Sequence, residues 1–156
     1  MNKISLNRDW LPYMEKAFKM AEVALENNEV PVGAVIVDKS GNIIAQGYNQ
    51  KEALNSVTAH AEIIAINQAA QKINNWRLTG CTMVVTLEPC LMCATAISMA
   101  RMDRVVFGAK DEKAGGNGSL YSIHQEKNLL HQYQVVSGVL KNKCSKLLIS
   151  FFKSKR

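Results

Sequence analysis

The chain has 156 residues, 47% hydrophobic and 21% charged, with 19 Lys+Arg against 13 Asp+Glu and a formal net charge of +6. These values suit one soluble globular domain over residues 1–156, large enough for a genuine core, and no apolar run is long enough to span a membrane. Excess basic charge favours polyanionic partners such as nucleic acid, although charge alone does not name one. Met1 to Asp9 has neither the apolar segment of a secretory signal nor the Arg/Ser bias of a transit peptide, so a cytoplasmic location is expected.

Trp10 to Glu26 places Leu11, Met14, Ala17, Phe18, Ala21 and Leu25 at helical spacing. Val32 to Asp38 and Ile43 to Asn49 read as strands joined by the turn Lys39-Ser40-Gly41-Asn42, so they form an antiparallel hairpin. Ala59 to Lys72 is again helical, with Ile63, Ile66 and Ala70 on one face. Thr82 to Leu87 is apolar and β-branched without alternation, as in a strand covered on both faces. Leu91 to Met99 is helical, Arg104 to Gly108 a short strand, and Ala114 to Ser119 a Gly-rich loop. A short helix is expected next, then Val135-Val136 as an edge strand and Cys144 to Phe152 as a final amphipathic helix. Strands and helices alternating in the second half imply right-handed crossovers and parallel pairing. The expected fold is an α/β, three-layer α/β/α sandwich with a mixed five-stranded sheet and an N-terminal antiparallel hairpin. Ligands in such sheets gather beyond the carboxyl ends of the strands.

Four cysteines are present. Cys81 and Cys144 stand alone and read as small buried hydrophobes. Cys90 and Cys93 form a C-x-x-C pair, which in a reducing compartment points to metal or redox chemistry. Their i, i+3 spacing at a helix start turns both sulfurs to one side. Pro89 suits the entry to that helix, where its missing N–H costs nothing, and the positive end of the helix favours thiolate. With His60 they supply one imidazole and two thiolates, the three protein ligands of a catalytic zinc site that keeps one position open. Glu62, two residues beyond His60, can reach a zinc-activated water without occupying the metal, and a carboxylate there serves as a proton shuttle. H-x-E or C-x-x-C alone is weak; P-C-x-x-C following H-A-E by one strand and one helix is specific for hydrolytic base deamination.

Beyond these motifs stand Glu29-Val30-Pro31-Val32-Gly33-Ala34, Thr58-Ala59-His60-Ala61-Glu62, Trp76-Arg77-Leu78, Thr86-Leu87-Glu88-Pro89-Cys90, Arg104-Val105-Val106-Phe107-Gly108-Ala109, Gly118-Ser119-Leu120 and Phe151-Phe152. On these residues nearly the whole chain resembles the cytidine-deaminase-like superfamily, and within it the bacterial tRNA-specific adenosine deaminases. The resemblance implies hydrolytic conversion of adenosine to inosine at the wobble position of a tRNA anticodon, one zinc ion per chain and a homodimer. It implies no organic cofactor. It assigns zinc to His60, Cys90 and Cys93, proton transfer to Glu62 and base contact to Asn49. Ala61 backbone would lie beside the reacting carbon, Val30 and Pro31 would wall the base pocket, and Asp111 and Lys113 would meet flanking nucleotides.

Plainer readings accompany several of these. Asn49 could cap a strand end, Asp111-Glu112-Lys113 could be a solvated turn, and His124 and His131 could be structural or exposed. Lys153, Lys155 and Arg156 could track phosphates or form a frayed helix end. Met92, Met99 and Met102 could face a partner copy or pack in the core. The chain departs from the family at Ser56-Val57-Thr58, Leu130-His131-Gln132 and Gly115-Gly116-Asn117, positions that bear on RNA recognition and not on the metal. Two other functions fit the motifs: deamination of a free base or nucleoside, and a non-catalytic zinc module for RNA with Cys81 as fourth ligand.

Overall fold

The computed structural model describes residues 8–128 and 131–155. Residues 1–7, within the Met1 to Asp9 segment, and Leu130 and Arg156 lie outside the described residues. Along the chain the elements are α1 (Leu11–Glu26), β1 (Gly33–Val37), β2 (Ile43–Tyr48), α2 (Ala61–Ile73), β3 (Thr82–Leu87), α3 (Leu91–Met99), β4 (Arg104–Ala109), a 3-10 turn (Ile123–Gln125), β5 (Gln134–Ser137) and α4 (Lys141–Ser154).

The hairpin forms as its turn chemistry dictates. Asp38 Oδ1 accepts the N–H groups of Ser40 and Asn42, both at 2.9 Å. Gly41 takes φ 90°, a conformation that costs other residues more. β1 pairs antiparallel with both β2 and β3, whereas β3, β4 and β5 run parallel, giving the order β2-β1-β3-β4-β5. The expected edge strand Val135-Val136 is the middle of β5, which is largely exposed.

Helices cover both faces of the sheet. Ala34, Ile36, Met83, Val85, Val105 and Phe107 pack with α2 and α3 residues such as Ala65 and Ile97. Val35, Val37, Val84 and Val106 pack on the other side with Met14, Ala17 and Phe18 of α1 and Cys144 of α4. This double covering explains why β1, β3 and β4 show no polar alternation. The three-layer sandwich and mixed five-stranded sheet are as expected, and no helix among the described residues is long and apolar enough to cross a membrane.

One helix start differs from expectation, and packing adds detail that spacing leaves open. Leu11 and Leu25 share the helical spacing of α1 but are exposed, and Met14, Ala17, Phe18, Ala21 and Ala24 carry the burial. α2 starts two residues later than expected and buries Ala61, Glu62, Ala65 and Ala69, leaving Ile63, Ile66 and Ala70 half-buried. Pro89 precedes Cys90, the N-cap of α3, and so stands at the entry to the helix, just outside it.

Register brings the site together. Gly33 pairs with Tyr48, Ala34 with Val85 and Leu87 with Ala109. The ends of β2, β3 and β4 and the start of β1 therefore share one edge of the sheet.

Candidate active site

His60 and Cys90 are the N-cap residues of α2 and α3, both extended, and neither side chain makes a capping hydrogen bond. Their side chains are thus free to turn outward at two helix N-termini, where partial positive charge favours anionic sulfur. Cys93 follows inside the first turn of α3 and is buried. His60 Nδ1 lies 3.7 Å from Cys90 Sγ and 3.5 Å from Cys93 Sγ. Ligand atoms of all three lie within 4.8 Å of one another. At ordinary zinc bond lengths the N–S edge of a tetrahedron is about 3.6 Å, so this donor set fits zinc. Cys81 is buried just before β3, at the opposite end of that strand, and takes no part in the cluster. The closed four-ligand site that a non-catalytic module would need is therefore not formed with Cys81.

The protonation chemistry of the cluster follows from its crowding. The Cys93 thiol, hydrogen-bonded to Cys90, lowers the Cys90 pKa to about 4, with His60 adding to the effect. Cys93 itself is pushed up because its proton is held by Cys90 and because it is buried. His60 is raised, first through its hydrogen bond with Cys90. Glu62, 4% exposed in the first turn of α2, has its carboxyl pushed up to about 7 by burial. It stays outside the His60–Cys90–Cys93 cluster while interacting with all three of its side chains. A buried carboxyl whose proton affinity is raised by desolvation, set beside a group that could hold a metal, is equipped for general acid–base work.

A cavity of about 180 Å³ opens on this cluster, lined by Val30, Val32, Asn49, Lys51, His60, Glu62, Leu87, Glu88, Cys90 and Asp111. Gly47 makes the approach of α2 possible. A Cβ there would stand 2.5 Å from Ala61 carbonyl oxygen and 3.0 Å from Ala65 nitrogen. The bare glycine lets the start of α2 press onto β2 and carries His60 and Glu62 over the sheet edge.

Residues 9–109 match the family described as the cytidine and deoxycytidylate deaminase zinc-binding region. A tRNA-specific adenosine deaminase of Bacillus subtilis (strain 168) is 46% identical over 144 residues, 92% of this chain and 89% of the relative. The chain belongs to the tRNA-specific adenosine deaminase family. Another such deaminase, from Haemophilus influenzae, is 46% identical over 143 residues, 92% of this chain and 83% of its own. A solved structure from work on A-to-I editing by tRNA:A34 deaminases at the wobble position matches with a TM-score of 0.85. That match has 42% identity, over 88% of this chain and 99% of that one. The guanine deaminase of Nitrosomonas europaea, at 21% identity and a TM-score of 0.78, shares the fold.

In this tRNA-specific adenosine deaminase family member, the remaining sequence candidates divide. Asn49 lies just beyond β2, buried, and its Oδ1 accepts the Ala61 N–H at 2.8 Å. It thereby joins the sheet edge to the first residue of α2. Val30 lines the cavity; Pro31 is buried but absent from the lining, where Val32 stands. Asp111 lines it too, while its Oδ1 accepts the N–H groups of Lys113 and Ala114, both at 3.1 Å. Lys113 is exposed on that turn and does not reach the cavity lining. His131 is half-buried and bonds the Met102 carbonyl at 2.8 Å. Met102 is core, whereas Met99 is 59% exposed.

Lys51, Leu87 and Glu88 belong to the cavity and were not singled out for it by sequence. Glu88 carries the one local signal, a charged residue wedged between an apolar strand and a proline, a setting that forces burial.

Proposed function

We propose that this chain catalyses the hydrolytic deamination of adenosine to inosine at the wobble position of a tRNA anticodon. The observation that carries the chemistry is a three-ligand N–S–S cluster opening on a cavity beside a buried carboxyl that is not a ligand. The tRNA substrate rests on relatives of that name at 46% identity across nearly all of the chain. Residues 1–156 form one deaminase domain in this reading.

His60 Nδ1 and the Cys90 and Cys93 sulfurs hold one zinc ion per chain. Zinc bound there supplies Lewis acidity that brings the pKa of a water toward ~7. Glu62 accepts the proton of the attacking water and delivers it to purine N1 as the C6–O bond forms. A second proton passes through Glu62 to the departing amine as the C6–N bond breaks, leaving inosine and ammonia. Asn49 presents its amide to the purine, with its oxygen steadied by Ala61 N–H so that the NH₂ end is the one left for the base. Ala61 backbone flanks the reacting carbon, Val30 walls the base, and Pro31 supports that wall from behind. Asp111 and Lys113 meet the nucleotides flanking the target, which an unstacked anticodon loop delivers with the adenosine splayed out. The enzyme works in the cytoplasm as a homodimer, a reading supported by the exposed Leu91 and Met99 on the outer side of α3.

The deciding experiment offers the zinc-loaded protein an adenosine-containing anticodon stem-loop, with free adenosine, adenine, guanine and cytosine in parallel. Inosine forming in the RNA alone is the expected result. Turnover of a free base with inert RNA would replace the substrate while keeping the Glu62 chemistry.

A further inference from the structure

Two buried carboxylates take no part in the chemistry above. Glu29 and Glu88 are each 2% exposed, and each commits both oxygens to donors in one loop at the rim of the cavity. Glu29 Oε1 accepts from Glu52 N–H at 3.0 Å and Oε2 from Ala53 N–H at 2.9 Å, in the segment between Asn49 and His60. Glu88 stands two residues before the ligand Cys90. Its Oε1 accepts from Asp111 N–H at 3.2 Å, and its Oε2 from the N–H groups of Asn117 and Ser119 at 3.0 and 3.1 Å. The Ser119 hydroxyl also donates to Oε1. The second loop is shaped to this carboxylate, because a Cβ at Gly115 would fall upon it. Through these loops Lys51 and Asp111 reach the cavity lining.

Burying a carboxylate is unfavourable unless it is well hydrogen-bonded, and an apolar side chain would fill the same space at less cost. What a carboxylate adds is a fixed hold on several N–H donors of a separate segment. We propose that Glu29 and Glu88 are positioning residues that hold loops 50–56 and 111–119 in the geometry that receives the RNA flanking the target adenosine. This rests on the tRNA reading given above. The two residues act on substrate capture and not on the reacting atoms.

Glutamine makes a near-isosteric test. In Glu29→Gln, an NH₂ group must face a backbone N–H whichever way the amide turns, so one of the two bonds is broken. In Glu88→Gln, only the Oε1 side tolerates NH₂, since the Ser119 hydroxyl can turn to accept there. Asp111 N–H is then the group left unpaired.

The experiment measures steady-state deamination of the anticodon stem-loop by zinc-loaded wild type and both variants, with metal content and amide hydrogen exchange on the same samples. The expected result is one zinc retained per chain, kcat within about twofold and KM raised ~10-fold, a scale in keeping with a small misplacement of gripping groups. Faster exchange should be confined to Glu52 and Ala53 in the first variant and to Asp111 in the second. A fall in kcat with KM unchanged, or loss of zinc, would overturn the proposal, as would wild-type kinetics in both variants. If Glu88→Gln fails to fold, Ser119→Ala removes only the hydroxyl's hydrogen bond and leaves the carboxylate in place. A KM rise of about threefold is expected there, and an unchanged KM would remove Glu88 from the proposal. Wild type is assayed first: its failure on RNA sinks the tRNA reading and this inference together, whereas failure confined to the variants sinks the inference alone.

Discussion

Glu62 lies in the first turn of α2 with its carboxyl pushed up to about 7 by burial and outside the His60–Cys90–Cys93 cluster. Removing it leaves His60, Cys90 and Cys93 untouched. Glu62→Ala should therefore keep its zinc yet turn over ~10²–10⁴-fold more slowly, which metal analysis alongside inosine formation will check. The ligands make a second prediction. Without metal, Cys93 holds its thiol proton tightly and His60 is raised, but zinc binds only the deprotonated forms. Zinc uptake should release protons, and zinc affinity should fall as pH falls. Calorimetric titration in buffers of different ionisation enthalpy measures the released protons; equal apparent enthalpies in all buffers would contradict this.

Elements set how closely those groups meet. α2 rests on β2 through Ala61, Ala65 and Ala69, with Gly47 beneath its first turn. Gly47→Ala would push the start of the helix off the sheet. A destabilisation of ~1–3 kcal/mol is expected from overpacking, with reduced turnover because His60 and Glu62 move with the helix. Denaturant unfolding and the stem-loop assay test both, and a variant with wild-type stability and rate would show that the packing relaxes freely. Periodicity in the sequence identifies α2 and sets Ile63, Ile66 and Ala70 on one face, but does not single out Ala61, Ala65 and Ala69 as the residues that press on the sheet. Apolar character selects large residues, whereas close approach of a helix to a sheet selects small ones. α3 begins after Cys90, which is extended and places its sulfur in the cluster with His60 and Cys93.

Over the whole molecule, charge is unevenly placed. Seven of the 19 basic residues follow Glu126 and none of the 13 acids does, so the first 126 residues are close to neutral. α4 carries Lys141, Lys143, Lys146 and Lys153, and Lys155 follows at its C-cap. Binding of the anticodon stem-loop should weaken steeply with salt, and Lys146→Ala with Lys153→Ala should lower the log–log slope by about 0.7–0.9 for each phosphate no longer neutralised. An unchanged slope would place the RNA elsewhere on the surface. The exposed Leu91 and Met99 of α3 bear on assembly. Sedimentation at micromolar concentration should show a species of twice the chain mass, and a monomer alone would remove the homodimer.

The sequence by itself determined the reaction chemistry and the order of elements. The H-x-E and C-x-x-C spacings that nominate His60, Glu62, Cys90 and Cys93, and the strand and helix periods, are local patterns that survive in one dimension. Tertiary structure alone decided that Val32, Leu87 and Lys51 join the cavity while Pro31 and Lys113 do not, and that Glu29 and Glu88 each hold a distant loop. The reason is physical. Which side chain meets which backbone N–H across 23 to 31 residues depends on strand order and register. Hydrogen bonds from loop backbone to a remote carboxylate leave no periodic trace in either segment.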